Sequence, residues 1–408
     1  MMKSMARRAF LTGIGATIGG LALSRADVAS GDASQTVELP FANGGRSLAA
    51  YPQKRPLIVL TSRPVQLETP FEIFNDGLLT PNDAFFVRWH LAGVPTSVDP
   101  TKYALTVRGL VDKPATISLA DLKADFEPSE ITAVCECAGN SRGFFQPRVA
   151  GGQWANGAMG NARWRGVRLN DVLARVGVAA TAKTVRFSGM DGPVLPATPK
   201  FRKSLDLDVA DGQDVLLAYE MNGEPLPLLN GYPVRLVVPG WFATYWVKML
   251  NDIEVRDTPD DNFWMTTAYR VPAAPCGCQD PGTKVPTVPI SRLAVRSFIT
   301  NLAPGSSVDR QGKVAVQGIA FDSGSGIAKV MFSSDRGASW SPATLGADEG
   351  RYGFRQWSAS FATEPGKQYG LQCAATSVDG STQLAAPTWN ASGYMRNVIE
   401  TVDVEAAS

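Results

Sequence analysis

Histidine is almost missing from this chain: there is one, His90, in 408 residues. A zinc, copper or di-iron centre built on clustered imidazoles is thereby excluded, and so is a bis-histidine haem. There is no Cys-x-x-Cys-His sequence, so the chain carries no covalently attached c-type haem. Cysteine is scarce as well. The five are Cys135, Cys137, Cys276, Cys278 and Cys373, and neither Cys-x-Cys pair has the spacing of a zinc site. An excess of charge of one sign is also lacking. The formal net charge is +1, which gives no global electrostatic case for nucleic acid or for a membrane surface.

What is present describes an exported globular protein. Hydrophobic residues make up 44% and charged residues 19%, and 408 residues suffice for two or three domains, each with its own core. The N-terminus carries Lys3, Arg7 and Arg8, then the mildly apolar run Leu11–Leu23. That run is too short to span a bilayer of roughly 30 Å, so no stable membrane anchor is expected from it. Small residues around Ala29–Ala33 suit a cleavage point, and Arg7-Arg8-Ala9-Phe10-Leu11 has the twin-arginine form. Residues 1–33 therefore read as a twin-arginine signal peptide directing a folded protein to the periplasm. That route is used largely by proteins that take up a cofactor in the cytoplasm. An odd cysteine count in an exported protein leaves at least one thiol without an internal partner.

Two textures follow. Ser34–Arg63, polar and interrupted by Pro40, Pro52 and Pro56, reads as an arm laid over a domain. From Phe71 to Arg270, short helices (Ser118–Phe126 with Ser118 as N-cap; Leu169–Val176 with Gly177 beyond its end) mix with strand-like runs. Those runs include Phe85–His90, Tyr103–Leu110, Ile131–Val134, Thr184–Ser188, Asp214–Glu220, Val234–Val238 and Trp246–Val255, while Gly151–Arg168 is rich in Gly, Trp and Asn. This is an α+β pattern without βαβ repetition. Val271–Pro289 is proline-rich and reads as a linker. Beyond it, alternating segments at Ala294–Ile299, Lys313–Phe321, Ile327–Ser333, Gln356–Phe361, Leu371–Ser377 and Asn397–Val404, with a hairpin turn at Asp335-Arg336-Gly337, suit an immunoglobulin-like β-sandwich. The expected division is a catalytic domain over 34–275, a linker over 276–290 and a sandwich over 291–408.

The chemistry concentrates at Val134–Gly143, VCECAGNSRG. Cys137 is either a small buried apolar residue or a ligand; Arg142, five residues on, favours the thiolate that a metal needs. With no histidine cluster, the other ligands of such a metal must come with a cofactor. Arg88 lies among aromatics, where its charge requires either an internal acid or an anionic ligand. On a strand, His90 shares its face.

The segments Phe86-Val87-Arg88-Trp89-His90 and Cys137-Ala138-Gly139-Asn140-Ser141-Arg142, with Leu216–Gly223 and Pro233–Gly240, resemble the sulfite oxidase family of molybdenum enzymes. The likeness runs from about Phe71 to the C-terminus. It implies an α+β molybdopterin-binding domain followed by the sandwich, and one molybdenum held by Cys137 and by the dithiolene of a single molybdopterin. It implies oxidation of sulfite to sulfate, with electrons passed singly to a c-type cytochrome that is a separate subunit or a soluble protein. By the same likeness Arg88, Arg142, Trp154 and Tyr269 form the substrate pocket. Phe86, Val87, Arg88, Trp89, His90, Asp191, Asn230, Arg235, Trp246, Val247 and Lys248 cradle the pterin. Three positions depart from the family pattern: Trp89 and Asn230 stand for Asn and His, and Ser141 for Arg. Arg355 offers a further anion contact or a surface arginine; Cys135, Cys276 and Cys278 have no role implied. Two other readings compete: a related molybdenum dehydrogenase or reductase acting on other sulfur compounds, and a non-catalytic exported binding protein.

Overall fold

The computed structural model describes residues 36–41 and 44–408. The expected signal peptide lies outside the described residues. Gln35–Ser408 form one compact unit.

Alternation sets most of its elements. Helix Leu169–Val176 buries Leu169, Val172, Leu173 and Val176, a one-face spacing, and ends at Gly177 with φ 69°. Helix Leu119–Ala124 is started by a reciprocal cap between Ser118 and Asp121. One sheet of the α+β part runs Arg202–Asp206, Thr184–Gly189, Leu250–Arg256, Ala104–Gly109, Ala115–Ser118. Another runs Glu224–Pro225, Leu216–Met221, Met159–Arg168, Pro128–Glu136, with Arg235–Val237 also on Leu216–Met221.

Two expectations, the arm and the strand at Phe85–His90, are corrected here, and a stretch left without an element is assigned one. The arm is a sheet: Thr36–Glu38, Gly45–Ala49, Leu57–Ser62, Val65–Glu68 and Val87–Arg88 pair in chain order, and Leu57 is wholly buried against Leu67, Val87, Trp89 and Met249. Prolines at strand ends did not prevent pairing. The Gly- and Asn-rich stretch contains the strand Met159–Arg168, flanked on both sides by partners. Its glycines allow close approach: a Cβ on Gly160 would lie 2.5 Å from the Phe85 ring. The expected strand at Phe85–His90 shortens to Val87–Arg88.

The C-terminal part is a two-sheet β-sandwich. One sheet orders Arg296–Ile299, Gly312–Phe321, Arg355–Thr363, Thr344–Leu345; the other orders Ser307–Val308, Thr401–Ala406, Gln368–Ser377, Ile327–Ser333, Ser341–Pro342. Val316, Val330, Phe332, Trp357, Leu371 and Cys373 fill the space between them. The main core does not stop at the linker. Phe298 and Phe354 of the sandwich meet Phe71 and Phe74 edge-on at 5.6 and 6.0 Å. Within the linker, Arg270–Pro272 pairs with Thr287–Pro289, and Cys276 is disulfide-bonded to Cys278. No helix among the described residues is long and apolar enough to cross a membrane.

Candidate functional site

Strand Pro128–Glu136 delivers Cys137 to the mouth of a tight turn, where Cys137 N–H donates to the Ala158 carbonyl at 2.9 Å. Cys137 opens onto a cavity. Of the expected residues, Phe86, Arg88, His90, Asn230, Arg235, Lys248 and Tyr269 also line it, having arrived from four separate segments.

The wall is cationic. Lys248 is pushed down to about 7, first by burial and then by Arg235; Arg235 is lowered by burial; His90 is held well below the usual imidazole range by burial, Arg88 and Lys248. Asp191, whose carboxyl burial raises to about 6, lies close enough to act on Lys248. Three buried polar atoms on the lining residues have no partner: Arg88 Nη1, Arg235 Nε and Thr244 Oγ1. Unpaired buried donors are costly, so a cavity that gathers them is built for an acceptor-rich anionic guest.

Around this wall each side chain is held from behind. His90 stacks on Phe201 at 3.7 Å, and its Nε2 lies 2.6 Å from the Tyr269 hydroxyl. Tyr269 itself has φ 57°, a left-handed backbone that a bulky residue adopts only when its surroundings demand it. Asn230 donates through Nδ2 to the Phe86 carbonyl at 3.1 Å, while its Oδ1 accepts from Lys54 Nζ. Lys54 is buried, and burial brings it down to about 7. Sequence reasoning missed it because it sits in the supposed arm.

Other expected residues stand outside the cavity lining. Arg142 is buried behind the Cys137 turn, with long bonds from Nη1 to the Gly152 carbonyl and from Nε to the Ser392 carbonyl, both 3.3 Å. Trp154 is buried in the same turn, its carbonyl accepting from Gly143 N–H. Val87 and Trp89 turn into the small apolar cluster with Leu57; the Trp89 Nε1 donates to the Leu229 carbonyl and its ring lies 4.7 Å from Lys248 Nζ. Trp246 packs on Trp164 at 5.5 Å beside the Arg235 guanidinium, and the Val247 carbonyl accepts from Leu236 N–H. Of these four, Trp246 touches Arg235 and Trp89 touches Lys248, so both act on the cavity through its cations. Arg355 pairs with Asp348 inside the sandwich and does not reach the site. Cys135 is wholly buried, its thiol pushed up by burial although Arg235 Nη2 lies 3.1 Å from its sulfur.

A second cluster, also missed, adjoins the turn on its other side. Arg296 of the sandwich donates to Glu136 Oε1 at 2.7 Å and to Ser141 Oγ at 2.8 Å, and lies 3.5 Å from Glu400. Glu136 also accepts from Asn140, and Glu400 from Asn156 and Arg396. Ser141, one of the three positions that depart from the expected pattern, accepts this guanidinium's hydrogen bond through its short side chain.

Among the described residues no group of three or more His, Cys, Asp and Glu could hold a metal ion. A metal on Cys137 therefore needs donors supplied by a bound cofactor. Molybdopterin fits the residues present: dithiolene sulfurs complement the lone thiolate, and its phosphate complements the orphaned Arg235 Nε and Thr244 Oγ1. Cys137 would ligate the metal, and Arg235, Lys248 and Asn230 would meet the polar parts of the pterin.

Comparison with known proteins agrees. The family described as "Oxidoreductase molybdopterin binding domain" matches residues 90–264, and "Mo-co oxidoreductase dimerisation domain" matches residues 287–407. The sulfite oxidase of Gallus gallus is 34% identical over 364 residues, covering 85% of this chain and 78% of that protein. The mitochondrial sulfite oxidase of Macaca fascicularis is 34% identical over 374 residues, covering 87% and 67%, so the chain spans about two thirds of that relative. Among solved structures, the sulfane dehydrogenase SoxCD from Paracoccus pantotrophus superposes with a TM-score of 0.70 at 27% identity, covering 84% of each chain. The cationic cavity around Cys137, the sandwich behind it and these likenesses converge: the chain belongs to the sulfite oxidase family and is a molybdopterin-dependent oxidoreductase.

Proposed function

We propose that this protein is an exported sulfite dehydrogenase that oxidises sulfite to sulfate and hands the electrons, one at a time, to a c-type cytochrome. The observation that carries the reading is Arg88 Nη1, a buried donor without a partner in the cavity that Cys137 opens onto. A guanidinium in that state is matched by a small oxyanion. The bound molybdenum cofactor supplies oxygen-atom transfer and a two-electron sink. The chain's own residues do the rest. Arg88 binds the anion's oxygens, with Arg142 adding positive potential from behind the turn, and so orients the sulfur lone pair. Tyr269, buried and tied to His90, excludes bulk water from one side and holds a phenolic hydrogen bond at the cavity wall. Neutral His90 fits this position, since a second buried cation beside Arg88 would be repelled.

The test is sulfite-dependent reduction of cytochrome c by purified, molybdenum-loaded protein, with and without its native cytochrome. No reduction by either would sink the proposal. The likeness to SoxCD favours a second reading, oxidation of a sulfane group. Substituting a sulfane-charged carrier for sulfite in the same assay separates the two. Export by the twin-arginine route is tested by Arg7→Lys with Arg8→Lys, which should retain the protein in the cytoplasm.

A further inference from the structure

The family to which residues 287–407 belong is described by its role in dimerisation. In this protein the same domain also packs against the turn that carries Cys137 and against two residues of the site. Its segment Ser392–Met395 lies directly on the Cys137 turn. Met395 N–H donates to the carbonyl of Ala138 at 3.0 Å, and the Ser392 carbonyl accepts from Arg142 Nε. Gly393, with φ +59°, permits this approach: a Cβ there would lie 2.4 Å from Val149 Cγ2 and 2.9 Å from Arg142 Cγ. Asn390 holds the segment in shape, donating to the Tyr394 carbonyl at 2.9 Å and accepting from Tyr394 N–H at 3.2 Å. Ser392 Oγ donates to the carbonyl of Arg270, the neighbour of Tyr269.

The segment places one aromatic ring between two residues of the site. Tyr394 stacks on Tyr269 with centroids 5.4 Å apart and planes 7° from parallel, and the Arg142 guanidinium carbon lies 4.9 Å from the Tyr394 centroid. Among the described residues Arg142 has no carboxylate partner; it donates to two carbonyls at 3.3 Å, and the Tyr394 hydroxyl also lies close enough to interact with it. The face of the Tyr394 ring, over which the guanidinium carbon sits, favours a cation there.

We propose that Tyr394 is a positioning residue for the oxyanion substrate, holding Arg142 and Tyr269 in their working geometry through its ring face rather than its hydroxyl. The inference rests on the sulfite-oxidising reading for the identity of the anion. Tyr394→Met keeps the volume and removes the π face; Tyr394→Phe keeps the face and removes the hydroxyl. Each should be purified with its cofactor, and its molybdenum content and Tm compared with the parent. Steady-state kinetics with ferricyanide as acceptor then give kcat and KM for sulfite, and calorimetric titration with sulfate gives an anion Kd without turnover.

The expected result is a KM and a sulfate Kd both raised about tenfold in Tyr394→Met, with kcat less affected and molybdenum retained, and recovery in Tyr394→Phe. In an Arg142→Met background, Tyr394→Met should add little, because the two act as a unit. Unchanged KM and Kd in Tyr394→Met, failure of Phe to recover them, or full additivity with Arg142→Met would overturn the proposal. A Tyr394→Met protein that does not retain molybdenum leaves the Tyr394→Phe and Arg142→Met arms to decide. Should the parent bind sulfate but not oxidise sulfite, the functional reading falls while the Kd comparison still tests Tyr394. A parent that binds no sulfate overturns both.

Discussion

Two clusters of buried charge lie on either side of the Cys137 turn, and they are opposites. On one side Arg296, although its Nε has no partner, is ion-paired with Glu136 and lies near Glu400, with Arg396, Asn140, Asn156 and Ser141 completing the network. On the other side Arg88, Arg235 and Lys248 share a cavity, with Asp191 as the acid acting on Lys248 and with buried donors left over. Both guanidinium sets were equally visible as arginines in the sequence. The difference teaches that burial alone does not mark a functional cation; a missing internal anion does. A matched cluster fixes how the sandwich sits on the turn, and an unmatched one asks for a ligand.

The largest effect should come from the turn that both clusters share. Cys137→Ala is expected to lose molybdenum and all sulfite oxidation, read by elemental analysis and by cytochrome reduction. Next comes the matched cluster. Arg296→Met strands Glu136, whose carboxyl burial already raises, and should cost about 3–5 kcal/mol in denaturant unfolding. If Arg296→Met proves neutral in stability, the contrast between the clusters fails. Arg88→Met should do the reverse. It should raise KM for sulfite about a hundredfold while leaving Tm close to the parent's, because it deletes a charge-assisted contact to the substrate and no internal ion pair.

The smallest effect concerns Lys203, buried beside Tyr269 and Tyr245 with one hydrogen bond to the Trp264 carbonyl, and lowered by burial from 10.5 to about 7. Below pH 7 both folded and unfolded chains hold this proton. Between about 7 and 10.5 the unfolded chain binds more protons, so this group makes stability rise with pH across that window, by at most about 1.4 kcal/mol per pH unit. Lys203→Met should flatten that part of a Tm-against-pH curve relative to the parent; an unaltered slope would show that Lys203 stays charged when folded.

Legibility followed the range of the interactions. The Ser118 cap and the buried face of Leu169–Val176 are decided within a few residues, and they stand where the sequence placed them. The alternating strands of the sandwich do too, within a residue or two at most ends. Met159–Arg168 lies in a stretch whose Gly, Trp and Asn content assigns it no element from sequence. Pairing on both edges makes it a strand. Lys54 and Leu57 were hidden in a proline-bearing stretch whose burial depends on strands that come later in the chain.

By itself the sequence determined the kind of chemistry this protein can do. One histidine and no zinc-spaced cysteines exclude the common protein-only metal centres, and the resemblance carried by the local Cys137–Arg142 motif implies a thiolate whose partner donors come with a cofactor. Only the tertiary structure decided which charges are answered. Arg296 finds Glu136 across 160 residues, and Arg142 meets Ser392 across 250. Whether a buried cation is spent on the protein or kept for a substrate depends on distances of a few ångströms between segments that the sequence leaves far apart, and chain topology sets those distances.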